Sequence, residues 1–126
     1  MAPVIYILVP VRNRKELTRL FVECLQQQTY TNFLLLLIDD GSSDGTADMV
    51  RQYIPNAIVL QGTGNWWWAG GLQQGINWLK SKKVPDDSLV LMINDDVQFA
   101  PDYLANAVAV MSKKSRTLVL SRFIEK

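Results

Sequence analysis

Short apolar runs alternate with amphipathic stretches along most of the chain. Uninterrupted apolar runs at residues 4–9, 33–38 and 89–93 are too short for helices and predict strands buried on both faces of a sheet. A shorter run at residues 57–60 predicts another strand. Pro10 marks the predicted end of the first strand. The pattern therefore indicates a buried sheet whose strands are separated by longer, amphipathic connections.

The connections between these runs have the spacing of helices. The first carries one apolar stripe, formed by Leu17, Leu20, Phe21, Cys24 and Leu25. Ser43 is the predicted N-cap of the second helix, the third follows Gly71, and Pro101 opens the fourth. A fifth strand is predicted at residues 117–120. This alternation predicts an α/β fold, a three-layer α/β/α sandwich with a mainly parallel, Rossmann-like sheet.

Composition and charge narrow the class of protein. The 126 residues are 48% hydrophobic and 20% charged, as expected for one domain spanning residues 1–126. A net charge of +1 excludes the broad basic surface of a nucleic-acid-binding protein, and no apolar run approaches the ~20 residues of a membrane span. Histidine is absent, which excludes Ser-His-Asp triads and histidine-ligated zinc. Any chemistry must therefore use carboxylates, amides and backbone.

Polar residues follow each of the first four predicted strands. They occupy residues 10–13, 39–46, 62–71 and 94–96. Parallel strands bring their carboxyl ends to one rim, where α/β sheets bind their ligands. Loops are often polar because they are exposed, but four converging polar loops favour a binding cleft.

Two of these loops carry distinctive chemistry. Asp95 and Asp96 favour an oxygen-ligated divalent cation, Mg²⁺ or Mn²⁺, completed by substrate phosphates; a solvated turn is the alternative. Three consecutive tryptophans, residues 66–68, cannot all reach one core, so at least one is expected to contact a ligand through its flat ring. The glycines at positions 70 and 71 allow close approach of the backbone to a ligand.

Taken together, residues 9–13, 39–46, 64–65 with 69–71, and 94–96 resemble the family 2 glycosyltransferases of the A-type fold, in the order found in that family. The resemblance implies a nucleotide-sugar-binding sheet, with Asp40 on the pyrimidine base, Asp95 at the ribose and Asp96 on the metal. The expected nucleotide-binding residues are Pro10, Arg12, Asn13, Asp40, Gly70, Gly71 and Asp95, and the expected sugar-binding residues are Trp66, Trp67 and Gln73. Trp67 and Gln73 replace a glycine and an asparagine of the usual pattern.

The resemblance implies the donor-binding portion of a metal-dependent, inverting glycosyltransferase. It would move a sugar from a UDP- or dTDP-sugar to a glycan or lipid-linked acceptor, as in polysaccharide biosynthesis, with a cytoplasmic location at the membrane face. Family enzymes are about twice this length, and their general base lies in an acceptor half that is expected to be missing here. The isolated chain is therefore expected to be inactive. The alternative is a non-catalytic nucleotide-sugar-binding or interaction module, which could form homo-oligomers through an exposed sheet edge.

Overall fold

The computed structural model describes residues 2–111, which form four strands and four helices in strict alternation. The predicted strand at residues 117–120 lies outside the described residues. In chain order, the elements are β1 (Ile5–Val11), α1 (Lys15–Gln26), β2 (Phe33–Asp39), α2 (Thr46–Tyr53), β3 (Ile58–Gln61), α3 (Trp67–Lys82), β4 (Leu89–Met92) and α4 (Tyr103–Met111).

The four strands form one parallel sheet in the order β3-β2-β1-β4. The chain builds outwards from β1 to β3, and α3 then carries it back across the sheet to the other side of β1. The strand order therefore reverses between β1 and β4, and such a reversal is where α/β sheets open a crevice for ligands. The predicted α/β fold is confirmed.

Alternate residues of β1, β2 and β3 supply two separate apolar clusters, whereas β4 contributes to only one of them. Ile7, Val9 and Leu37 point to the side on which α1, α2 and α4 pack. Leu8 and Ile38 point to the opposite side, which α3 covers. Because both faces of β1, β2 and β3 are covered, these strands read as continuous apolar runs instead of alternating ones. Strand β4 is also a continuous apolar run, although Val90 and Met92 are 44% and 49% exposed. This explains why the strands could be recognised from the sequence.

The buried face of α1 differs from the predicted stripe. Thr18, Phe21, Val22 and Leu25 face the core, while Leu17 is 40% exposed and Cys24 is half-buried. The helix is thus rotated towards a hydroxyl-bearing residue that an apolar pattern leaves out. This rotation lets the Thr18 hydroxyl donate a hydrogen bond to the buried carboxylate of Asp95.

Several predicted boundaries were wrong by a few residues. Strand β1 continues through Pro10 to Val11, because proline removes one donor without preventing the pairing of Pro10 with Ile38. The N-cap of α2 is Gly45 in a left-handed conformation, not Ser43. Helix α3 begins at Trp67, four residues before Gly71, and α4 begins at Tyr103, two residues after Pro101.

Helix α3 lies unusually close to the sheet. A methyl group added at Gly75 would stand 2.7 Å from Leu8 Cδ2, and one added at Gly71 would stand 3.2 Å from Ile38 Cγ2. Because these two buried glycines, four residues apart, carry no side chain, the helix packs closely against β1 and β2. Its amino end is thereby fixed at the rim where the strands end. Among the helices of residues 2–111, none is long and apolar enough to cross a bilayer.

Candidate functional site

The two aspartates at the end of β2 serve different loops, as expected for neighbouring strand residues whose side chains diverge. Asp39 Oδ1 accepts a hydrogen bond of 3.0 Å from the Ser42 amide and so closes its own turn. Asp40 reaches across to the loop that follows β3. Both carboxylates are buried. Asp39 is therefore a turn residue, and Asp40 joins two loops of the rim.

Asp40 accepts three backbone hydrogen bonds from the loop after β3. Its Oδ1 accepts from the Gly64 amide at 2.8 Å, and its Oδ2 accepts from the amides of Trp66 and Trp67, both at 3.0 Å. A carboxylate offers roughly four lone-pair positions, so about one remains for a ligand. The predicted contact of Asp40 with a base is compatible with this geometry and stays a prediction.

The residues after β1 tie the first loop to the second and third. Arg12 Nη1 donates to the Gly64 carbonyl at 3.2 Å. Asn13 has a positive φ of 50° and its Oδ1 accepts from the Ser43 amide at 2.7 Å, while its own amide donates to Ser42 Oγ at 2.9 Å. Arg12 and Asn13 are exposed, so both remain accessible to a ligand at the rim.

The acidic pair after β4 faces the start of α1. Asp95 is 3% exposed, accepts a 2.8 Å hydrogen bond from Thr18 Oγ1, and lies 3.4 Å from Arg14 Nη1. Asp96 is half-exposed and lies 3.8 Å from Arg14 Nη2. Burial raises the pKa of Asp95, while the hydrogen bond from Thr18 and the charge of Arg14 oppose that rise. Arg14 therefore bridges both carboxylates at the β1–β4 crevice.

The three tryptophans do not all reach the core, as predicted from their adjacent positions. The Trp66 indole lies over Gly62, where an added methyl would come within 2.7 Å of Trp66 Cε3. Trp67 is 75% exposed and Trp68 is 56% exposed. Trp68 Nε1 donates to Asn94 Oδ1 at 2.7 Å, which links the start of α3 to the end of β4.

The remaining predicted site residues occupy packing or surface positions. Pro10 of β1 pairs with Ile38 of β2 and packs against the buried Gly71, while Gly70 lies next to Trp66. Gln73 is exposed and donates to Asn77 Oδ1 at 2.9 Å, one helical turn along α3. Packing alone accounts for Gly71, and ligand contacts of these four residues stay predictions.

The predicted site omitted Arg14 and Thr18, and of the three tryptophans it named Trp66 and Trp67 but not Trp68. Arg14 and Thr18 lie at the start of α1, and Trp68 contacts Asn94 across the crevice. Arg14 was detectable as a second cation directly after Arg12 and Asn13. Thr18 carried a weaker signal, a small hydroxyl residue among apolar neighbours. The link between Trp68 and Asn94 joins residues that are 26 positions apart and had no local signal.

Comparison with known proteins identifies the family to which this chain is similar. The sequence profile described as glycosyl transferase family 2 matches residues 6–126. A search of curated proteins finds no significant match.

Solved structures share the fold but are much longer. A mannosyltransferase, PcManGT from Pyrobaculum calidifontis in complex with GDP-Man and Mn²⁺, aligns with a TM-score of 0.68 and 26% identity over 83% of this chain and 31% of its own. S. aureus TarS 1–349 in complex with UDP aligns with a TM-score of 0.69 and 24% identity over 86% of this chain and 32% of its own. The 126 residues thus span about a third of these structures. From the profile match and the shared fold, we conclude that this chain belongs to glycosyl transferase family 2.

Proposed function

We propose that this chain is the donor-binding part of a glycosyltransferase and that the rim binds a nucleoside diphosphate sugar. The observation that carries the proposal is the cluster of Arg14, Asp95 and Asp96, which meet where the strand order reverses between β1 and β4. The loops at this rim are held together by three hydrogen bonds between side chains and backbone and by the side-chain hydrogen bond from Trp68 to Asn94. Such a preformed polar crevice suits a charged, extended ligand.

A pyrimidine nucleotide fits the β1–β2 side of the rim. The free lone pair of Asp40 is matched by the ring N–H of uracil or thymine, which favours a UDP- or dTDP-sugar. Pro10 and Asn13 border this position, and Arg12 supplies a positive charge for the phosphates. Asp95 lies nearest the ribose in this arrangement. UDP is the nucleotide bound in the TarS structure, whereas PcManGT is bound to GDP-Man.

The carboxylates after β4 fit a divalent metal only together with a substrate. Within residues 2–111, no cluster of three or more His, Cys, Asp or Glu side chains would hold an ion without help. Asp96 is half-exposed, and Arg14 at 3.8 Å is the only described ion-pair partner of its carboxylate, so it can supply one hard oxygen ligand while diphosphate oxygens supply others. Mn²⁺ or Mg²⁺ bound there would neutralise the charge that develops on the departing diphosphate. The Mn²⁺ in the PcManGT structure supports this assignment.

We assign no general base among the rim carboxylates. Asp39, Asp40 and Asp95 each accept hydrogen bonds within the fold, and Asp96 is assigned to the metal. A base that deprotonates the hydroxyl of a glycan or lipid-linked acceptor, and the inverting attack that follows, would then depend on residues outside this rim. The same observation favours the second candidate function, a module that binds a nucleotide sugar without transferring it.

Calorimetry with UDP and dTDP tests the proposal. We expect binding to strengthen several-fold when Mn²⁺ replaces EDTA, because the ion offsets repulsion between Asp96 and the diphosphate. Asp96→Asn should remove that gain. Asp86→Asn is the matched control, since Asp86 is an exposed carboxylate before β4, at the opposite end of the strand. Equal affinity in Mn²⁺ and EDTA would exclude the metal, and the absence of nucleotide binding to the folded chain would refute the proposed function.

A further inference from the structure

The four tryptophans of this chain divide into two that pack against the fold and two that do not. Trp66 lies over Gly62, and Trp78 lies 6.4 Å from the ring of Tyr6 on the α3 side of the sheet. Trp67 and Trp68 are 75% and 56% exposed. Leaving two large aromatic rings in water at adjacent positions forgoes the burial that normally stabilises such residues. The placement therefore needs a reason other than folding.

Trp67 is also held in an unfavourable backbone conformation. Its φ of 57° lies in the left-handed region, which bulky residues rarely adopt. Its amide donates to Asp40 Oδ2 at 3.0 Å, so the same buried carboxylate that joins the loops also holds this residue in place. Strained residues that surrounding contacts hold in position are concentrated at binding sites. The strain and the exposure are independent observations on the same side chain.

The orientation of Trp68 is fixed by one hydrogen bond. Its Nε1 donates to Asn94 Oδ1 at 2.7 Å, and Asn94 directly precedes the acidic pair Asp95 and Asp96. The indole is therefore anchored at the mouth of the β1–β4 crevice while more than half of it stays exposed. An anchored and accessible ring is preorganised for stacking, because little side-chain entropy remains to be lost on binding.

We propose that the exposed indoles of Trp67 and Trp68, which we call the aromatic platform, bind a pyranose beside the end of β4. The sugar ring stacks on the anchored indole of Trp68, and Trp67 contacts another part of the same ligand, because adjacent helical side chains diverge. The inference rests on the proposed function and names the part of the substrate that this surface holds. The C–H face of a pyranose packs on an indole, while its hydroxyls reach polar neighbours such as the exposed Asn94. A nucleobase also stacks on indole, but the proposed base position is Asp40 at the end of β2. Trp68 instead contacts Asn94, two residues before Asp96, and the sugar follows the diphosphate that Asp96 would hold through the metal.

Both the donor and the acceptor contain a sugar of this kind, and one experiment shows which of them the platform binds. The chain is labelled with ¹⁵N at the tryptophan indoles, and the four Nε1–H signals are assigned by single substitutions. It is then titrated, in Mn²⁺, with UDP, with a panel of UDP-, dTDP- and GDP-linked hexoses, and finally with methyl hexopyranosides after saturation with UDP. For a donor sugar, Trp67 and Trp68 should shift with a nucleotide sugar well beyond their shift with the nucleotide alone. For an acceptor sugar, they should shift with a methyl glycoside. Trp78 should stay unchanged in both.

Affinity measurements on variants complete the test. Trp68→Leu and Trp67→Gly should each reduce the extra affinity that the sugar confers at least fivefold while leaving UDP affinity within twofold. Trp68→Phe should restore part of it, because the ring is kept and only the N–H is lost. Trp78→Phe is the matched control and should change neither affinity. If UDP binds but no sugar shifts Trp67 or Trp68, the platform is refuted and the proposed function stands. If UDP itself does not bind, the proposed function fails and this inference falls with it.

Discussion

Carboxylates of the rim act first as acceptors for backbone amides. Asp39 and Asp44 cap turns next to themselves, which turn-forming sequences such as residues 39–46 predict locally. Asp40 instead accepts from the loop after β3, and its first partner, the Gly64 amide, is 24 residues away along the chain. The sequence predicted that the side chains of Asp39 and Asp40 diverge, but it did not predict that Asp40 would reach the loop after β3. That information depends on which strands become neighbours.

The carboxylate of Asp44 should make a pH-dependent contribution to stability. The Thr46 hydroxyl donates to it and lowers its pKa, and the amides of Lys15 and Thr46 add to the effect. A lowered pKa means that the stabilisation is present above the unfolded pKa and is lost as the pH falls through the folded one. Asp44→Ala should cost about 1 kcal/mol in the free energy of unfolding at pH 7. Urea unfolding at pH 7 and near pH 2.5 checks this, and a cost that does not shrink in acid contradicts it.

Trp67 allows a direct test of backbone strain. Glycine tolerates a φ of 57°, whereas alanine keeps the steric penalty of the left-handed region. Trp67→Gly should therefore be more stable than Trp67→Ala by about 1 kcal/mol, measured by urea unfolding. The opposite order would show that the loop relaxes when the indole is removed, and that the positive φ does not persist without it.

At the scale of elements, periodicity predicted every described helix and strand but not which side of α1 is buried. An apolar stripe maximises hydrophobic contact, yet the structure turns Thr18 inward and leaves Leu17 partly exposed. Asp95 on the neighbouring loop is almost fully buried and requires a donor, which Thr18 supplies. The need of the buried Asp95 for a hydrogen-bond donor thus accounts for which side of α1 faces the core. No pattern within α1 itself could reveal it.

Thr18→Val tests this account of α1. Valine has nearly the same shape but no hydroxyl, so Asp95 would lose its hydrogen bond in a buried position. We expect the free energy of unfolding to fall by about 1–3 kcal/mol, by thermal or urea unfolding. Thr18→Ser, which keeps the hydroxyl and loses one methyl, should cost about 1 kcal/mol. If valine is tolerated better than serine, packing and not the hydrogen bond determines how α1 sits.

At the scale of the whole molecule, the convergence of four polar loops on one rim was predictable from the order of strands and helices alone. Parallel pairing of β1 with β2 and β4 makes it unavoidable. What the sequence could not supply is the strand order β3-β2-β1-β4, which places Arg14 opposite Asp95 and Asp96. Strand order depends on how α3 crosses the sheet, and close packing at Gly71 and Gly75 allows that crossing.

The 126-residue chain should bind a nucleotide sugar without transferring it. The rim carboxylates other than Asp96 are occupied within the fold, and the chain spans about a third of the solved structures with which it aligns. We expect nucleotide release in the presence of acceptor sugars to stay at the background rate, measured by a coupled assay for UDP. Turnover of roughly 1 per second or faster, typical of enzymes, would show that a base acts within this chain.

The way Asp40 holds the loop after β3 bears on how specificity can change in evolution. Its three partners are backbone amides, which every residue except proline carries. The hydrogen bond to the amide of residue 67 therefore does not require a particular side chain at that position, whereas Trp66 also packs over Gly62. Substitutions at position 67 can therefore change which ligand binds while the hydrogen bonds to Asp40 keep the loop in place. A library that varies position 67 while excluding proline should yield mostly folded proteins with different ligand preferences.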